Sequence, residues 1–213
     1  MDHADLQAAI TSERLRLADM LEDLTPEEWR VESLCAGWTT KVVVAHLALL
    51  TRLSRLAAIR GVLAAGGNIN LMIDRAARAW AEQYSPAELL AQFREAAGTT
   101  RRPLGAKPTD PLVDILVHGQ DITRPLGRRF PMPPTRVVPA LAFVVATSFH
   151  GAPKRLAGLH LVATDADWST GEGDRELRGP AGELLLVATG RPAGLDGLDG
   201  AGVDEIASRL AAR

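Results

Sequence analysis

The segment 110–127, DPLVDILVHGQDITRPLG, limits what this chain can fold into more than any other. Asp110 can accept a hydrogen bond from an early helical N–H, and Pro111 suits a first helical position, where an N–H has no intrahelical partner. Asp114, His118 and Asp121 then recur at i, i+4 and i+7, which places them on one face of a helix. Pro125 lacks an N–H and Gly127 tolerates a left-handed turn, so the helix stops there. Leu112, Val113, Ile115, Leu116 and Val117 fill most of the remaining surface, so the helix is predicted to be buried and to carry its polar residues inside. A buried polar group without a partner costs roughly 2–7 kcal/mol. The partner is either a hydrogen bond within the set or a metal ion.

A second histidine bears on that choice. In the stretch 34–61, LCAGWTTKVVVAHLALLTRLSRLAAIRG, Gly37 breaks the chain, Thr39 or Thr40 caps, and one helix is predicted to about Arg60, closed by Gly61. His46 has Val42 and Val43 one turn before it and Leu49 and Leu50 one turn after, so it points into the core. Taken singly, His46 reads as a hydrogen-bonded core residue, and Asp114 with His118 as an i, i+4 brace. Together, two imidazoles and a carboxylate from two helices make a three-ligand site with open positions, the usual construction of catalytic divalent-metal sites on helical bundles. The mixed nitrogen and oxygen set suits zinc first, and also nickel, iron, cobalt or manganese. Asp121 can accept a hydrogen bond from an imidazole or pair with Arg124. Cys35 reads as a small buried thiol rather than a nucleophile, because Gly37 and Trp38 interrupt the stretch between it and His46.

Around these two stretches the chain reads as helices. Residues 4–24 repeat Leu6, Ala9, Ile10, Leu17, Leu21 and Leu24 at close to the helical period. Two capping boxes follow, Thr25-Pro26-Glu27-Glu28 and Ser85-Pro86-Ala87-Glu88. Helices are also predicted over 71–84, 86–97 and 135–147, with a Pro, Gly and Thr-rich connector at 98–109. After about Gly151 the pattern changes: Leu159, Leu161 and Ala163 alternate as in a strand, a turn at 171–174 leads to a partner strand at 175–178, and helices follow at 180–189 and 203–212. Trp29, Trp38, Trp80 and Trp168 read as core anchors, and His3, His150 and His160 as surface or turn residues. The expected organisation is an all-α domain over 1–150 and a small α+β domain over 151–213.

Composition narrows the function. A formal net charge of −2 with no Lys/Arg-rich block argues against a nucleic-acid or anionic-membrane partner. The apolar run near 137–146 is too short to span a bilayer, and MDHADLQAAI has acids where a signal peptide needs a basic region. The single cysteine excludes an intrachain disulfide framework and fits a reducing cytoplasm. No G-x-S-x-G, P-loop or G-x-G-x-x-G is present, and the aspartates of the Gly-rich tail lack the spacing and closing Glu of an EF-hand.

LCAGWTTKVVVAHLA, DILVHGQDITRPLG and LAGLHLVATDADWSTGEGDRELRGPAGELLLVATGR, in that order, resemble the mycothiol-dependent maleylpyruvate isomerase family over nearly the whole chain. The resemblance implies a DinB-like up-down four-helix bundle followed by a small α+β domain, in a cytoplasmic, actinobacterial setting. It implies that His46, Asp114 and His118 hold a divalent metal, with Asp114 standing where the better-known isomerase pattern has Glu. Asp is one methylene shorter, so the ion would sit nearer that helix or a water would bridge. Through its TGR ending, the resemblance puts Arg191 forward to hold an anionic substrate, the other reading being a solvated residue past a helix end. The function implied is a metal-dependent mycothiol transferase or isomerase acting on a small electrophile, as a monomer or homodimer. The alternatives are a non-catalytic metal- or ligand-binding bundle and a metal-dependent hydrolase.

Overall fold

Asp2 starts the first helix by accepting the Asp5 N–H at 2.8 Å, and α1 runs His3–Glu22. The computed structural model describes residues 1–212. A single turn of 3-10 helix, Glu28–Arg30, precedes α2 at Thr40–Leu50. The predicted long second helix is interrupted: Thr51 ends α2, and α3, Arg55–Ala64, restarts where Ser54 Oγ accepts the Ala57 N–H at 3.2 Å. Ser54, placed after Arg52 and Leu53, is a new N-cap, and a cap competes with helix continuation. Next come α4 at Ile69–Gln83, α5 at Pro86–Glu95 and α6 at Asp110–Thr123. The Ser85/Glu88 capping box on α5 forms in both directions.

Helices α1, α2, α5 and α6 pack on one another as a four-helix arrangement, with α4 laid against α2. Their shared core is built from Leu17, Leu21, Val44, Leu47, Leu89, Phe93, Ile115 and Ile122. These residues sit on the apolar stripes that the helical period predicts.

The chain divides into two compact units, Met1–Phe130 and the remainder from Pro131. The division falls after Phe130 and not near residue 150. The helix α7, Pro134–Ala146, which the sequence pattern assigned to the first domain, packs against α9, Ala181–Ala188, in the second unit. Its buried residues Val137, Ala140, Leu141 and Val144 face that unit's core. The second unit also holds the short α8, Ala152–Arg155, a three-stranded sheet and α10, Val203–Ala211. Strand β1, Leu159–Ala163, is central. It pairs antiparallel with β2, Ser169–Thr170, and parallel with β3, Arg175–Gly179, placing Leu161 opposite Leu177. Among the described residues no single helix is long and apolar enough to cross a membrane.

Candidate active site

The site is built where α2, α6 and the loop before α2 meet. The loop folds back on itself: Ser33 N–H donates to Trp38 O at 2.8 Å, Trp38 N–H to Cys35 O at 2.9 Å, and Gly37 takes the left-handed conformation the turn needs (φ 72°). Leu34 N–H donates to the backbone carbonyl of Asp121 at 3.0 Å, which hangs the loop on the last turn of α6. Gly37 is held from the other side, its carbonyl accepting from Arg78 at 2.9 Å.

His46 and His118 come together inside this frame. Both are buried, one from α2 and one from α6, and their ring centroids lie 5.1 Å apart in an edge-to-face arrangement. Trp38 also packs on His46, with ring centroids 5.4 Å apart and planes tilted by 51°, and its Nε1–H donates to Asp74 at 2.7 Å. Trp38 is thus a wall of the site as well as the core anchor its size predicts.

His118 Nδ1 lies 2.9 Å from Asp121 Oδ2, and the Cys35 thiol donates to the same oxygen at 3.1 Å. Asp121 is fully buried. Burial alone would drive His118 toward its neutral form, but the hydrogen bonds to Asp121 and Cys35 outweigh it and push the imidazole pKa up to about 10. Nδ1 therefore carries a hydrogen toward Asp121, and at that pKa Nε2 is protonated as well, so a cation binding at Nε2 would displace its proton. Of the two sequence readings of Asp121, the imidazole partner is present in this contact.

Asp114 lies one turn before His118 on α6, half-buried, close enough to Arg14 of α1 for its charge to favour the Arg14 cation. Arg191 belongs to the second unit, just past α9, where its Nη1 donates to Thr189 O at 2.9 Å. Cys35 is half-buried, and its thiol donates to Asp121 at 3.1 Å and lies 3.7 Å from His118 Nδ1. No local pattern points to this contact, since Cys35 and Asp121 are 86 residues apart.

Imidazole nitrogen and carboxylate oxygen are donors that suit a divalent cation, and of the three residues named from sequence, His46 and His118 are brought together here. A second set shares His118: the Cys35 sulfur, a His118 ring nitrogen and an Asp121 oxygen all lie within 4.8 Å of one another. That set is a possible metal site, although its donors are already hydrogen-bonded to each other.

Residues 10–121 match the sequence profile described as the mycothiol maleylpyruvate isomerase N-terminal domain. No curated protein matches the chain. Among solved structures, it is similar to a mycothiol-dependent maleylpyruvate isomerase at 15% identity and TM-score 0.63, covering 94% of this chain and 93% of that one. A histidine-to-alanine mutant of a mycothiol-dependent maleylpyruvate isomerase aligns at 16% identity and TM-score 0.56 over the same shares.

Proposed function

The chain belongs to the mycothiol maleylpyruvate isomerase family, and from that membership we propose that it is a divalent-metal-dependent mycothiol isomerase or transferase acting on a small electrophile. The observation that carries this reading is the buried pair His46 and His118, drawn from two helices and set edge-to-face at 5.1 Å. A core needs no such pair for packing, and each imidazole brought inside costs desolvation that a ligand repays. His46, Asp114 and His118 are the proposed ligands, with zinc the first choice and nickel, iron, cobalt or manganese served by the same donors.

A bound divalent cation supplies positive charge that lowers the pKa of a thiol and keeps it as thiolate at neutral pH. The chain's own residues set up that chemistry. Asp121 holds the Nδ1 proton of His118, and Trp38 packs against the His46 ring. The mycothiol thiolate adds to an electrophilic carbon of the substrate. Either the thiol is expelled again with the double bond isomerised, or a proton is taken up and a thioether remains. Arg191 is the proposed anchor for an anionic group of the substrate. In this reading the partners are a low-molecular-weight thiol and a small electrophile, and the compartment is the cytoplasm.

The test is conversion of maleylpyruvate by the metal-loaded protein with and without mycothiol. Mycothiol-dependent conversion, lost in His46→Ala and His118→Ala, is the expected result. Hydrolysis without thiol would transfer the site to a metal hydrolase. Neither turnover nor thiol binding would leave a metal-binding bundle.

A further inference from the structure

We propose that Asp121 is the positioning residue that fixes the ligating tautomer of His118, and that the Cys35 thiol fixes Asp121 in turn. This rests on the proposed reading that His118 is a metal ligand. Three observations carry it. Asp121 Oδ2 accepts from both His118 Nδ1 at 2.9 Å and Cys35 Sγ at 3.1 Å. The same residue's backbone carbonyl accepts Leu34 N–H at 3.0 Å, so the loop bearing Cys35 and the helix bearing His118 are joined at one point. Asp121 is 0% exposed, so both donors meet it away from bulk water.

The chemistry follows from the two nitrogens of imidazole. A ring whose Nδ1–H is committed to a carboxylate presents only the Nε2 lone pair, cannot turn freely, and is a more basic ligand. Asp121 is a fixed acceptor only if its own rotation is restrained, and the thiol hydrogen supplies that restraint. The sulfur also lies 3.7 Å from Nδ1, a contact within hydrogen-bond reach of sulfur. The thiol thus touches the ring as well as the carboxylate that holds it.

Loss of an imidazole's carboxylate partner at a metal site weakens metal binding about 10- to 100-fold. Asp121→Asn keeps the shape and removes the charge. Its dissociation constant for zinc, measured by competition with a chromophoric chelator, is expected to rise by about that factor. Cys35→Ala is expected to produce a smaller rise, and Cys35→Ser, whose hydroxyl still donates, to recover part of it. This pair keeps the test open if Asp121→Asn does not fold. Nitrogen-15 spectra of histidine-labelled, zinc-loaded protein read the tautomer directly: Nδ1–H with metal-bound Nε2 in the wild type, and a mixture in Asp121→Asn. Wild-type zinc affinity with an unchanged spectrum in Asp121→Asn would overturn the proposal. So would a thiolate-to-cobalt charge-transfer band in the cobalt protein without added thiol, abolished by Cys35→Ser, since Cys35 would then be a ligand. Full metal occupancy in His46→Ala and His118→Ala would instead remove the parent reading.

Discussion

At the scale of single residues, polar side chains taken inside this protein have specific partners. Arg14, 5% exposed, donates through Nη1 to Ala96 O, Ala97 O and Thr99 O at 3.1–3.2 Å, tying α1 to the turn that follows α5. Its burial lowers the guanidinium pKa while the nearby charge of Asp114 pulls it back. Glu28 shows the same logic at the surface. The Arg128 guanidinium grips both its oxygens at 2.8 and 2.9 Å, and Thr25 N–H adds a further bond, holding the carboxyl below the usual glutamate range. A folded-state pKa below the unfolded one gives stability that is present above the ordinary carboxylate range and lost as the pH falls through the folded value. The stability difference between wild type and Glu28→Gln, followed by urea unfolding across pH, should therefore be largest at neutral pH and close in acid. A difference that does not change with pH would contradict the pairing.

Elements meet the sequence pattern where the pattern is local and depart from it where a distant contact decides. The face carrying Asp114, His118 and Asp121 was legible from spacing alone, as was the inward position of His46 between valines and leucines. The break at Ser54 was not, because the apolar period runs on through it. Gly119 is a further case. A Cβ there would stand 2.5 Å from Phe130 Cε1, so the glycine after His118 lets Phe130 lie against α6. Phe130 is buried, with Arg16 over its ring at 3.8 Å and its carbonyl bonded to Gln120. Gly119→Ala gains about 1 kcal/mol of helix propensity, but overpacking costs about 1–3 kcal/mol. The clash with a buried ring decides the sign, and a lower urea midpoint is expected. Equal or greater stability would show that Phe130 moves aside freely.

For the whole molecule, the mixture of a helical unit and a small α+β unit was readable from the change of pattern near residue 151, since alternation and helical period differ in kind. The place where the units divide was not, because α7 carries an apolar stripe that would suit either neighbour and its partner α9 lies far along the chain. The site shows the same contrast. Its proposed ligands were nameable from two helical patterns and a family resemblance, whereas the loop that brings Cys35 and Trp38 to them depends on long-range closure. The central claim is that His46 and His118 together hold a metal that takes a thiol. Elemental analysis of the wild type, His46→Ala and His118→Ala, followed by mycothiol titration of the cobalt-loaded wild type, tests it most directly. One metal per wild-type chain, loss in both variants and a thiol-dependent change in the cobalt spectrum are expected. Full metal in either variant, or a cobalt spectrum indifferent to mycothiol, would contradict it.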